Sequence, residues 1–237
     1  MSRFETRSSQ KELIDEENIP FSDWATCLRE LNTVNTLLGG HVITIEGVQK
    51  LLRGKNHGEI VVAEIGCGGG DNLKAIHYWN GARLPLAYIG IDINEACTEF
   101  AKKNCSMLPS AEFVASDYRI INFQNKKPDI IFNSLFCHHF SNDELAGMLQ
   151  WMAANSNLGF FINDLHRHPL AYHSIKLLTK LFSRSYLVKN DGPVSVLRGF
   201  HRNEWKALLN RASIINYSIQ WRWAFRYLVL VENEQHA

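Results

Sequence analysis

The apolar run from Ile60 to Ile65 leads directly into Gly66-Cys67-Gly68-Gly69-Gly70-Asp71, and no other stretch of the chain restricts the fold as strongly. A short β-branched run reads as a buried strand, and the helix-period segment after Asp71 makes the glycines a strand-to-helix turn. Gly66, Gly68 and Gly70 permit positive φ and let a ligand approach the main chain without meeting a Cβ. A dinucleotide fingerprint requires G-x-G-x-x-G or Ala, but counting from Gly66 places Asp71 where the third small residue should stand. The turn therefore points to a nucleotide-type cofactor other than NAD. An ordinary glycine-rich turn is the competing reading.

From about Glu59 onward, strand-like runs at 60–65, 87–91, 112–115, 129–133 and 159–163 alternate with helix-period segments. That rhythm predicts an α/β fold with a mainly parallel sheet covered by helices on both faces. Asn94 is placed to cap one helix, Ser141 with Glu144 forms a capping box for another, and Pro169 suits the first turn of a third. In that third helix Leu170, Leu177, Leu178 and Leu181 share a face. Before the first strand, Trp24, Leu28, Leu31 and Leu38 make an amphipathic face that stops at Gly39-Gly40, which predicts an N-terminal helical extension over residues 1–57. At the other end, alternation through Ile215, Tyr217, Ile219, Trp221 and Trp223 is followed at once by an apolar run over 225–231, which predicts an antiparallel strand pair.

A chain of 237 residues with a 46% hydrophobic fraction can bury one good core, so one domain with embellishments is expected. The formal net charge of +1 offers no broad basic field, which argues against nucleic acid as a partner. With no apolar leader segment and no run of about eighteen apolar residues, no membrane partner is expected, and a cytoplasmic protein is. Five cysteines, odd in number and without a C-x-x-C pair, suggest neither a disulfide framework nor a zinc site.

An acidic residue, Glu64, followed by G-x-G-x-G resembles motif I of the class I S-adenosylmethionine (SAM)-dependent methyltransferases, and the terminal antiparallel pair extends the resemblance over residues 59–231. The resemblance implies a Rossmann-like fold in which Glu64, Gly66, Cys67, Gly68 and Gly70 cradle the methionine and ribose portions of SAM. Asp92, with Ile93 after it, stands at the end of the second strand, where a carboxylate can accept from both ribose hydroxyls. Its alternative role as a helix cap is already offered by Asn94. Ser116, Asp117 and Tyr118 occupy the positions that hold the adenine amino group in the family, although an Asp in a loop also serves turns. Asn133 and Ser134 should pass beside the sulfonium, with S-adenosylhomocysteine (SAH) as the product.

Chemistry beyond the cofactor rests on histidines. Asn133-Ser134-Leu135-Phe136-Cys137-His138-His139-Phe140 lacks the N-P-P-Y tetrapeptide of many base and amino methyltransferases. Paired histidines at this point recur in small-molecule methyltransferases of the quinone-biosynthesis type, so the resemblance implies a phenolic or otherwise apolar hydroxyl-bearing acceptor. His138, His139 and His166 are the candidate catalytic residues, because neutral imidazole can take a proton near neutral pH; a packing role is the alternative. His166, His168 and Asp164 alternate in a way that could converge on a metal, but no further spaced pair supports a metal site and none is assigned. His168, Tyr172, Tyr186 and Arg198, with Phe200, are candidate acceptor contacts. Asp191-Gly192-Pro193 reads as a turn in a folded loop over residues 183–200, which with the N-terminal helices would form an acceptor lid on a cofactor domain at 58–237. Together with the segment from Asp164 to Tyr172, this stretch resembles small bacterial methyltransferases, which implies a phenolic or polyketide-derived metabolite as acceptor. The rival readings are an RNA-directed methyltransferase and a non-catalytic partner with the same fold.

Overall fold

The computed structural model describes residues 3–16, 19–54, 58–123 and 127–233. The expected division after residue 57 lies outside the described residues. Two helices come first, α1 (Phe21–Leu37) and α2 (Gly40–Leu52), and then strands and helices alternate. The order is β1 (Ile60–Ile65), α3 (Asp71–Asn80), β2 (Leu86–Asp92), α4 (Glu95–Asn104), β3 (Ala111–Ala115), β4 (Ile130–Ser134), α5 (Asn142–Asn155) and β5 (Gly159–Leu165). Three helices follow, α6 (Pro169–Phe182), α7 (Tyr186–Arg198) and α8 (Arg202–Arg211), and the chain closes with β6 (Tyr217–Arg222) and β7 (Arg226–Glu232). The seven strands form one sheet in the order β3-β2-β1-β4-β5-β7-β6. β1 to β5 are parallel, and β7 inserts antiparallel between β5 and β6.

β1 lies inside the sheet and is buried at every position, which is why it does not alternate and is apolar at every position but Glu64. One face packs Val62, Tyr88, Phe132 and Phe161 against Val48 and Leu51 of α2 and Leu73 and Ile76 of α3. The other packs Ile65, Ile131, Phe160 and Val229 against Leu145, Met148 and Met152 of α5 and Trp205 and Leu209 of α8. The predicted caps are in place: Asn94 Oδ1 accepts from Ala96 N at 3.0 Å, and Ser141 and Glu144 form the reciprocal box. These layers aim the carboxyl ends of β1 to β5 at one rim, where ligands of open α/β sheets sit.

The loop expected over residues 183–200 is instead a helix. α7 begins at the Ser185 cap and runs straight through Asp191-Gly192-Pro193. An interior proline costs about 3 kcal/mol, whereas burying Leu187, Val188, Val194 and Val196 stabilises by roughly 1.5–3 kcal/mol per side chain, so packing outweighs the local turn preference. The leucines of α6 do share a face, and that face is the solvent-exposed one; the helix packs on α7 beside Gly192 through Ile175 and Thr179. None of the helices of the described residues is long and apolar enough to cross a membrane.

Candidate active site

The glycine turn is held against β2 by Gly66 N and Cys67 N, both donating to Ile91 O at 2.8 and 3.0 Å. Gly66 adopts φ +68°, and a Cβ there would lie 2.3 Å from the Phe136 ring. Asp92 accepts from Gly68 N and Asn94 N, each at 2.9 Å, one on each carboxylate oxygen. A carboxylate has about four lone-pair sites, so two remain for a ligand. Burial raises the Asp92 pKa, against the opposing effect of the two N–H donors. An open cleft of about 130 Å³ lies here, lined by Ile65, Gly66, Asp92, Ile93, residues 116–119, Phe136 and Phe140.

Around this cleft the expected cofactor residues divide. Gly66, Asp92, Ile93, Ser116, Asp117 and Tyr118 line it. The Asp117 carboxylate is gripped by the Arg119 guanidinium, so it meets the cleft as half of an ion pair. Glu64 is fully buried with Oε1 accepting from Asn72 Nδ2 at 2.7 Å, while its Oε2 has no hydrogen-bond partner. Burial holds its pKa well above the usual carboxylate range. Ser134 Oγ, at the end of β4, is likewise buried without a partner. Two expected residues turn away: Cys67 packs its thiol into the core, and Asn133 contacts Cys137, Met148 and Met152 on the α5 side of the sheet. In a strand, neighbouring side chains point to opposite faces, so Asn133 and Ser134 do not share an environment.

The four histidines, all of which follow strand ends, separate into two clusters. After β4, His138 is buried with Nδ1 at 2.8 Å from Asp164 Oδ1, and its backbone N donates to the same carboxylate. His139 Nδ1 lies 2.9 Å from Asp15 Oδ1. Glu12, carried by the N-terminal segment, faces the Nε2 atoms of both rings, with Oε1 3.5 Å from His138 Nε2 and Oε2 4.0 Å from His139 Nε2. Burial raises the Glu12 pKa to about 7, against the lowering effects of His139 and the Ser195 hydroxyl. Burial acts the same way on Asp164, but the charge and hydrogen bond of His138 outweigh it and leave that pKa below the usual value.

After β5, His166 and His168 enter an aromatic cluster beside β6 and β7. Trp221 Nε1 donates to His166 Nδ1 at 3.2 Å, and His168 stacks on Phe225 while capping α6 through Leu170 N. Burial, then the neighbouring His168, His201 and Arg167, push the His166 pKa down to about 4. The alternation of Asp164, His166 and His168 does not assemble as a ligand set, because Asp164 is committed to His138.

The expected acceptor contacts are mostly structural. Arg198 is buried, its Nε donating to His138 O at 2.8 Å and a terminal nitrogen to Gln10 O at 2.6 Å. Phe200 stacks on Trp205 with ring centres 4.0 Å apart inside the core. Tyr172 lies under the N-terminal segment, against Arg3 and Phe4. Tyr186 is exposed.

Sequence reasoning missed what the N-terminal segment contributes. Arg7 donates to the carbonyls of His138, Phe140 and Arg198, and Leu13 N and Ile14 N donate to Asp191. Leu28 of α1 stands over Gly68, and His41 bridges Asn32 and Asn72, extending the network that begins at Glu64. A run with three acids in Glu12-Leu13-Ile14-Asp15-Glu16 carries no local motif, so the only available signal was its mixture of apolar and acidic residues.

Residues 62–159 match a protein-family profile described as a methyltransferase domain. No curated protein matches the chain by sequence. Among solved structures, the plantazolicin methyltransferase BpumL in complex with SAH aligns at TM-score 0.66 and 16% identity, over 90% of this chain and 94% of that one. BpumL in complex with a monoazolic desmethylPZN analog and SAH aligns at 0.66 and 18%, over 90% and 92%. Human N-acetylserotonin methyltransferase in complex with SAM aligns at 0.63 and 16%, over 90% of this chain and 56% of that one. At such identities the likeness is one of fold. The chain has the Rossmann-like fold of the class I methyltransferases, and the profile match covers the part of it from β1 to the start of β5.

Proposed function

We propose that this chain is a SAM-dependent methyltransferase that methylates a hydroxyl group of a small aromatic or otherwise apolar acceptor. The observation that carries the cofactor is the cleft at the glycine turn with Asp92 in its lining, supported by two buried polar groups near the ends of β1 and β4 that lack protein partners. Glu64 Oε2 and Ser134 Oγ are buried and unsatisfied, which normally costs about 1–3 kcal/mol each and fits donors and acceptors of a bound ligand. Asp92 retains acceptor capacity for vicinal hydroxyls, and the apolar walls at Ile93, Tyr118 and Phe136 suit a planar base.

S-adenosylmethionine supplies, when bound, a methyl group activated on a sulfonium centre. The chain's own residues hold the cofactor at the cleft, exclude water and accept one proton. Charge removal belongs to the cluster after β4, where Asp164 on Nδ1 fixes the His138 tautomer and leaves Nε2 as the basic atom. His166 is the weaker candidate because Trp221 already occupies its Nδ1. α1, α2 and α7 are the proposed acceptor lid over a cofactor domain that begins near residue 58. Lack of an N-P-P-Y segment and of a broad basic field favours a small hydroxyl acceptor over RNA.

Calorimetry on the purified chain with SAH and NAD tests the cofactor. SAH binding without NAD binding is expected, and the reverse would falsify the assignment. Methyl-labelled SAM with a set of small phenols then tests the acceptor. Label appearing only in added RNA would refute it.

A further inference from the structure

We infer that Glu12, His138 and His139 form a binding site for a divalent transition-metal ion of the zinc type, with Asp164 and Asp15 as its outer carboxylates. The donor atoms are His138 Nε2, His139 Nε2 and a Glu12 carboxylate oxygen, and they lie within 4.8 Å of one another. Each imidazole has its Nδ1 against a carboxylate, Asp164 at 2.8 Å and Asp15 at 2.9 Å. With Nδ1–H donating outward, each Nε2 carries a bare lone pair, so three acceptors converge without a donor among them. Glu12 Oε1 is buried and makes no hydrogen bond.

These atoms face one another at distances that a hydrogen bond spans poorly and that a shared cation would bridge. His138 Nε2 to Glu12 Oε1 is 3.5 Å and His139 Nε2 to Glu12 Oε2 is 4.0 Å. N–H···O bonds run to about 3.2 Å. A tetrahedral ion with bonds of about 2.0–2.1 Å holds its ligands roughly 3.3 Å apart, so a contraction of at most about 1.5 Å completes the site. Three carboxylates, Glu12, Asp15 and Asp164, face the two imidazoles; Arg198 lies 3.7 Å from Glu12 and 3.9 Å from Asp15, and Arg7 and Arg226 are the cations that act on Asp164. The outer carboxylates are the arrangement that orients histidine ligands in metal sites. Partial exposure of the His139 and Asp15 side chains, 20% and 30%, gives the ion a path inward.

This site is independent of the methyl-transfer reading, since its test reads binding and not turnover. Where both hold, His138 Nε2 would be a ligand and no longer the base, the ion would lower the pKa of a hydroxyl bound to it, and the proton would leave to solvent.

The test uses the full chain, stripped with a chelator, dialysed and titrated with Zn²⁺ by calorimetry, and with Co²⁺ by visible absorption. One Zn²⁺ per chain, a raised melting temperature and an intense tetrahedral Co²⁺ spectrum are expected. Glu12→Gln and His139→Gln should each weaken binding more than tenfold, Asp15→Asn by about ten- to a hundredfold, and exposed His173→Gln not at all. Circular dichroism of each metal-free variant checks folding, and His139→Gln decides the matter if Glu12→Gln does not fold. No stoichiometric uptake overturns the inference. So does uptake undiminished in the folded variants, which would leave the cluster a proton-sharing ion network.

Discussion

Replacing Gly66 by alanine separates two costs that the glycine turn avoids. At φ +68° an L residue pays about 1–2 kcal/mol for the left-handed conformation. The new Cβ also meets Phe136 Cδ2 at 2.3 Å and Cε2 at 2.7 Å, so the ring must leave its position; overpacking of that kind costs typically about 1–3 kcal/mol. The sum is about 2–5 kcal/mol, and at about 2–4 °C per kcal/mol for a domain of this size the melting temperature should fall by roughly 4–20 °C. A double-mutant cycle divides the total. In Gly66→Ala/Phe136→Ala the ring is gone and only the backbone cost remains, so the double variant should be about 1–3 kcal/mol more stable than additivity predicts. Phe136 also packs edge-on against Phe140 and both wall the cleft, so Gly66→Ala alone should weaken SAH binding as the displaced ring intrudes. The same substitution at Gly147, within α5, meets no atom within 4 Å and should stabilise by about 0.5–1 kcal/mol. Denaturant melts and SAH calorimetry on the four members of the cycle provide the readout. Additivity within about 0.5 kcal/mol would refute the claim that Phe136 is what requires a glycine at position 66.

Asp92→Ala should cost about 2–4 kcal/mol of SAH affinity, by loss of charge-assisted hydrogen bonds, and an unchanged dissociation constant would move that contact elsewhere. Arg198→Ala removes a buried guanidinium that holds His138 O and Gln10 O, so a loss of about 2–4 kcal/mol of stability is expected; an unchanged melting temperature would return Arg198 to the role of acceptor contact. For His166, the folded pKa of about 4 lies below the ordinary value of 6.5, so between those values the unfolded chain binds more protons and stability falls as pH drops. His166→Gln should therefore show a shallower loss of melting temperature than the wild type on acidification from about pH 7 to pH 4.5, and parallel curves would show that His166 does not titrate in this way.

Much of the sheet was legible because its signals are local. The apolar runs at 60–65 and 159–163 became β1 and most of β5, and the terminal alternation became β6 and β7. The caps at Asn94 and Ser141 depend on residues two or three positions apart, a distance over which sequence and geometry are tied. Asp191-Gly192-Pro193 was misleading for the same reason. A turn signal is a local preference, and it lost to the burial of Leu187, Val188, Val194 and Val196, whose neighbours come from distant parts of the chain.

The site follows this division. The sequence by itself determined the glycine turn and the acid after β2, because a ligand crossing a strand-to-helix turn needs particular residue types at particular spacings. Only the tertiary structure decided which histidines work together. His138 and His166 both follow strand ends, yet the positions of β4 and β5 in the sheet give one to Asp164 and Glu12 and the other to Trp221 and Tyr227. Glu12 stands 126 positions before His138, and no periodicity connects residues so far apart. Their meeting depends on Arg7 and Asp191 fastening the N-terminal segment across the rim, through hydrogen bonds that exist only once the sheet and α7 are in place.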